Sequence, residues 1–289
     1  MANGLDKYRR HTENKKVSLM QFDSLMDFYS LVEANKGQCI NFFKSGSSCS
    51  SENGSLSFTG TSSIDEALYL AKHGWQTGVE KLNSEIKIQS QGDTYKNVYD
   101  IVGGHVSVPR FLNGYPTNMI RKIPEPRIDK VITLVKVNNY NCGYNTDTII
   151  KNSVKFIQLI QKLEADGYRC NVDLIYGTSG EHCDMTGNSG MIITRFRIKR
   201  SSERLNVMKM SFPLAHPSMQ RRLYFKLMEM DEVIKETSLG HDIGYGYPVF
   251  NSERVGREIM KKYLKPNEYF VPLIIDDINN FKLEKLMKG

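Results

Sequence analysis

The chain of 289 residues contains no apolar run approaching the roughly 20 residues of a membrane span. Its opening stretch, MANGLDKYRRHTENKK, has no apolar core of the kind a secretory signal requires. Together these absences predict a soluble, intracellular protein. Cysteine is scarce: five residues, at 39, 49, 142, 170 and 183, odd in number and without CxxC spacing. That pattern argues against a disulfide framework or a structural zinc, and the expectation is reduced thiols. Tryptophan occurs once, at Trp75. No phosphate loop of the form GxxxxGK[ST] is present, and Gly103-Gly104 and Gly244-Tyr245-Gly246 are read as turns. No internal repeat is visible.

What is present begins with a basic excess of 39 Lys and Arg over 32 Asp and Glu, a net charge of +7. An excess of this size permits a nucleic-acid or acidic partner without demanding one. The local signals agree best over residues 127–177. Residues 131–137 form an apolar, β-branched run, the pattern of a strand covered on both faces. A helix follows, with Asn145 and Thr146 as candidate caps and Gly167 as its stop. Lys151, Lys155, Gln158 and Lys162 make one narrow polar stripe on it, so most of its circumference is predicted to be buried. Tyr168, Cys170, Val172, Leu174 and Tyr176 then alternate with Arg169, Asn171 and Asp173, the period of a strand with one wet face. A strand-helix-strand unit of this length predicts parallel strands joined by a crossover. The fold class read from it is α/β: a mixed, mostly parallel sheet with flanking helices.

Around this unit, residues 1–18 read as a frayed tail and 19–34 as a helix. Residues 45–55, SGSSCSSENGS, read as a loop or linker. The division predicted is 1–55 for tail, helix and Ser-rich loop, and 56–289 for a single α/β domain. Ser63 and Glu66 stand in capping-box spacing before a helix over 64–73 that Gly74 ends, with Trp75 folding back against it. A second helix is expected over 79–88. Residues 98–108 mix strand signals with the Gly-Gly break, followed by a short helical turn. Residues 191–199 read as a strand with Ile192, Thr194, Phe196 and Ile198 on one face and Arg195, Arg197 and Lys199 on the other. A helix follows with Pro217 at its start, then a strand at 269–275 and a last helix at 278–287.

The stretches FTGTSSIDEALYLAKHGW, IVGGHVSVPRFLNG and LAHPSMQRRLYF resemble an uncharacterised family of roughly 300-residue proteins encoded by bacteriophages and prophages. The resemblance covers most of residues 55–275. It implies a phage or mobile-element origin and a host-cytoplasmic setting, and it carries over no catalytic residue. VITLVKVNNYNCGYNTD with its helix also looks like the opening of a von Willebrand A domain. That fold binds magnesium on the loop after its first strand. Here the corresponding positions are Asn138, Tyr140 and Cys142, poor ligands for a hard cation, so a degenerate core of that kind is expected to have lost its metal site.

Several groups of residues are candidates for function. The first is basic: Arg195, Arg197, Lys199, Arg200 and Arg204 on and after one strand, with Arg221 and Arg222 on the next helix. Cations two apart on a strand share a face about 7 Å apart, which suits successive phosphates of a nucleic-acid backbone. The alternative is an ordinary solvated face. The second comprises loops at strand ends, where open α/β sheets bind ligands. Asn138, Asn141 and Asp147 stand on one such loop, and Glu181, His182 and Asp184 on another. The third is a scatter of histidines, His105, His216 and His241, of which a general base would need a carboxylate partner such as Asp242. No catalytic residue, metal ligand or cofactor is assigned. The leading expectation is an accessory protein that works by binding nucleic acid or a protein. The alternatives are a metal-dependent phosphoester hydrolase and a virion or assembly component.

Overall fold

A computed structural model describes residues 5–13, 17–37, 49–86, 95–124, 130–179, 191–230, 233, 245, 247–250, 253–275 and 287–288. The described chain opens on a 3-10 turn (Asp6–Tyr8) and two antiparallel strands, β1 (Arg9–Glu13) and β2 (Val17–Phe22), where a tail and the start of a helix were expected. The period decides it: Ser18, Met20 and Phe22 are buried while Leu19 and Gln21 are half-buried, so Phe22 belongs to a strand and not to the following helix. Helix α1 (Leu25–Ala34) starts at Ser24, whose side chain accepts from the Met26 amide. The stretch read as a loop or linker, 45–55, instead holds a short helix, α2 (Ser50–Asn53), and a second, α3 (Leu56–Thr59), follows directly.

Helix α4 (Ile64–His73) begins as its sequence predicts, with Ser63 Oγ accepting from the Glu66 amide at 3.0 Å. Glu66 returns its carboxylate to Ser62 rather than Ser63, at 2.6–2.7 Å from both the amide and the hydroxyl. Gly74, at φ +99°, ends the helix in a conformation that disfavours a side chain. Trp75 then opens α5 (Gln76–Glu85), packs over Gly78 and edge-on to His216, and lies against the core that Ile64, Ala67 and Leu68 of α4 share.

After β3 (Tyr95–Asp100), β4 (His105–Val106), α6 (Val108–Leu112) and β5 (Met119–Pro124) comes the central unit. This unit is β6 (Lys130–Val137), α7 (Thr146–Ala165) and β7 (Tyr168–Ser179), with Asn145 capping the Thr148 amide at 2.9 Å. Then follow β8 (Met191–Lys199), α8 (Val207–Ala215) and a π-helical segment (Met219–Tyr224) that runs on into α9 (Phe225–Met228). The last described elements are β9 (Tyr247–Pro248), α10 (Glu253–Met260), β10 (Glu268–Val271) and β11 (Met287–Lys288). The helix expected at 278–287 lies almost wholly outside the described residues.

The main sheet has the order β1-β2-β8-β7-β6-β10-β11, with β9 pairing the end of β7. Of the four neighbouring pairs among β2, β8, β7, β6 and β10, three are parallel and only β7–β8 is antiparallel. The architecture is thus α/β, a mixed and mostly parallel sheet between helices. On one face α1, α4, α5, α7, α8 and the π-helical segment cover Met20, Leu134, Val172, Leu174, Ile192 and Phe196. On the other, Phe250, Met260 and Phe270 pack with Val135, Val137, Ile175 and Ile193. Gly177 lets Phe250 approach so closely that a Cβ there would meet its ring at 2.5 Å. A second, three-stranded sheet has the order β3-β5-β4 and carries α6.

Candidate functional site

The basic strand is not a wet face. Arg195 is buried on the α10 side, where its Nε donates to Asp173 at 2.5 Å. Its guanidinium reaches over β7 and β6 to Glu268 on β10, making two bonds at 2.8 and 3.0 Å. Burial alone would raise the Glu268 pKa, but the Arg195 hydrogen bonds, the Lys265 amide and the charges of both residues together outweigh it and hold the carboxyl below its ordinary range. Arg197 also pairs with Asp173. Lys199 departs from the expected alternation. Its register partner is Val172 while Arg197 opposes Asp173, so Ile198 is an extra, bulged residue. The bulge turns Lys199 to the face of Val172, where it meets Glu164 of α7 at 2.7 Å. Asp173, read as facing water, is buried among these cations.

The two arginines of the π-helical segment are structural as well. Arg222 is fully buried and donates to the carbonyls of Ser51, Glu52, Gly54 and Thr61 and to the Thr61 hydroxyl, at 2.7–3.2 Å. Arg221 donates to the carbonyls of Phe58, Tyr144 and Asn141. Nearby, Glu229 accepts from the Ser51 hydroxyl and amide and from Tyr245, and burial raises its pKa. These bonds make an ordered segment of residues 49–61. Of the seven basic candidates only Arg200 and Arg204 are exposed, and Arg200 donates to the Asp23 carbonyl at 3.1 Å.

The loop after β6 is likewise committed to the fold. Asn138 is buried and donates to Tyr176 and to the Pro213 carbonyl. Asn139 accepts from the Gly177 amide, and Tyr140 exchanges two bonds with the Gln220 side chain. Asn141 accepts from the Gly143 amide in a local turn, and Asp147 is exposed on the first turn of α7. The second candidate loop, with Glu181, His182 and Asp184, lies outside the described residues, as do His241 and Asp242. His105 is exposed on β4. His216 is buried, stacked on Phe212 and edge-on to Trp75, with Nδ1 accepting from the Ser218 amide. Burial lowers its pKa to about 4, so it is a neutral core imidazole at physiological pH. Among the described residues no three His, Cys, Asp or Glu side chains gather as a metal site. The expectation of five reduced thiols is corrected too: Cys142 and Cys170 are free, but Cys49 is disulfide-bonded. Sequence spacing does not reveal which cysteines the fold brings together.

A cavity of about 380 Å³ lies at the carboxyl ends of β2 and β8, the opposite end of the sheet from the 138–145 loop. Its cations are already engaged, Lys72 with Glu33, Lys199 with Glu164 and Lys209 with Glu203. The feature that the fold does not use is elsewhere. Of residues 96–123, only Ser107 is buried. Leu112 is 76% exposed, Val102 73%, Ile101 71% and Phe111 61%, joined by Val106, Val108, Tyr99 and Tyr115. Arg110 stacks between the rings of Tyr99 and Tyr115, at 4.4 and 4.7 Å from their centres. A three-stranded sheet needs an apolar face packed on something to be stable, and an apolar patch rimmed by polar groups marks an interaction surface. Of the candidate residues only His105 lies in this module, and it was read as a candidate base and not as a mark of an apolar patch. The signal available was the run of apolar residues in IVGGHVSVPRFL, which the turn-like Gly-Gly obscured.

The comparisons with known proteins bear on the chain as a whole. A family model described as a domain of unknown function, DUF7192, matches residues 8–281. The chain belongs to this family. The match takes in the small sheet and all of the main one but β11, so the exposed module lies within the stretch that the family model covers. No curated protein and no solved structure matches the chain.

Proposed function

We propose that this DUF7192 protein works by binding another protein, with residues 95–124 as the docking surface and no chemistry of its own. The observation that carries the reading is that this module buries a single residue, Ser107, among residues 96–123. The partner has apolar residues inside an acidic rim, because the module sets Lys96, Arg110, Arg121 and Lys122 against Asp100 alone, 4 − 1 = +3. Aromatic residues and Arg around aliphatic ones are the composition of protein interfaces. A nucleic-acid reading finds less support, since four of the seven cations expected to track phosphates are buried and the patch is chiefly aliphatic, whereas bases stack on aromatic rings. A bacteriophage origin, a von Willebrand A-like core and a host-cytoplasmic setting belong to the same reading and rest on the sequence resemblances.

The test is co-purification from the native cell with full-length chain and with the double variant Phe111→Asp, Leu112→Asp, whose fold is checked by circular dichroism. A protein retained by the wild type, released by salt and absent from the variant is the expected result. Material that nuclease removes, and that the variant retains equally, would overturn the docking reading.

A further inference from the structure

Strand β3 pairs with β5 on one side, and among the described residues nothing pairs with its other side. The direction of its backbone groups follows from β5. There the carbonyls of Asn118 and Ile120 accept from the Ser107 and Gly104 amides at 2.7 and 3.0 Å, on the β4 side. N–H and C=O of one strand residue point the same way and alternate along the strand, so Met119, Arg121 and Ile123 point at β3. Their register partners are Asp100, Val98 and Lys96. Asn97 and Tyr99 therefore turn their N–H and C=O outward, to the open edge.

We propose that this edge pairs antiparallel with β3 of a second copy of the chain, on a two-fold axis at Val98, giving one six-stranded sheet across two molecules. In that register the two Val98 residues face each other, and Asn97 and Tyr99 exchange backbone hydrogen bonds with the second copy's Tyr99 and Asn97. Lys96 and Asp100 lie on the same side of the strand as Val98, and each stands opposite its countercharge in the second copy. Registers centred on Lys96 or on Asp100 would instead oppose like charges. Asp100 already accepts from the Ile101 amide and from Arg121 at 3.3 Å, and a carboxylate has further lone pairs for a lysine. The interface is isologous, as a two-fold dimer requires. It goes beyond the docking reading and sets two exposed apolar patches side by side on one sheet.

The experiment uses the full chain in a Cys142→Ser background, which removes an exposed free thiol. Light scattering across a wide concentration range is expected to show a dimer. Asn97→Pro removes an outward N–H and leaves the β5 ladder intact, so it is expected to give a folded monomer. Val98→Cys under mild oxidation is expected to cross-link. The non-hydrogen-bonded pair on the axis sets its Cα atoms about 4.5 Å apart, within disulfide reach. Lys96→Cys places its two thiols about 13 Å apart, four residues along the strand, and is expected not to cross-link. A monomer throughout, a dimer unaffected by Asn97→Pro, or no more cross-linking at Val98→Cys than at Lys96→Cys would each overturn the proposal. The Phe111→Asp, Leu112→Asp variant leaves the edge untouched, so loss of protein partner and loss of dimer are read separately.

Discussion

In the main sheet β8 has a neighbour on each edge and a layer on each face, so that even Arg195 and Lys199 are buried and ion-paired; in the small sheet β3 has, among the described residues, one neighbour, and residues as apolar as Leu112 and Val102 face solvent. Residue type and environment are thus exchanged between the two regions. A cation on a strand is not evidence of a wet face when its countercharge arrives from another strand. An apolar run is not evidence of a core when, among the described residues, the sheet that carries it has no second layer.

The sharpest way to break this comparison is to uncover the buried charge. Asp173→Asn takes its countercharge from the half-buried Arg197 and one of two partners from the buried Arg195. Denaturant unfolding is expected to show a loss of about 3–5 kcal/mol, the cost of breaking a buried pair from one side. A loss within the surface range would show that water reaches this face.

Ile157→Ala or Ile160→Ala tests the opposite layer, where both side chains are fully buried on α7. The expected loss is about 2–5 kcal/mol, by the same measurement. His216 gives an effect of similar size but tied to pH. Burial holds it at about 4 in the folded protein against 6.5 for the free side chain. Between those values the unfolded chain binds a proton that the folded one does not. Stability is therefore complete above pH 6.5 and is lost as pH falls toward 4, by about 3 kcal/mol. Stability curves at several pH values should show this component in the wild type and lack it in His216→Leu. At the small end, Leu112→Ala in the exposed module is expected to change stability by no more than about 0.5 kcal/mol, as surface substitutions do. A larger loss would mean that the patch is covered within the monomer.

How far the sequence was legible depends on the range of the interaction. The β6-α7-β7 unit, the Ser63 cap and the Gly74 stop were readable because each is decided within a few residues. The end of strand β2 was misread as helix because its partner, β8, lies far along the chain and Phe22 also fits the 3.6-residue period of the helix that follows. The basic candidates failed for the same reason. Arg195 finds Glu268 at a separation of 73 residues, and Arg222 finds Ser51 at 171. The bulge at Ile198, which redirects Lys199, leaves no trace in the alternation of β8. The exposed patch was hidden by the rule that apolar residues belong inside.

The bonds from Arg222 to residues 51–61 also set a schedule for biogenesis. The carbonyls of Ser51, Glu52 and Gly54 have no cation to receive until Arg222 has been synthesised, and β2 has no inner neighbour until β8 has. At about 5–20 residues per second, that is a wait on the order of ten to thirty seconds on the ribosome. Throughout it, Met20 and Phe22 lack the strand beside which they lie buried in the finished fold.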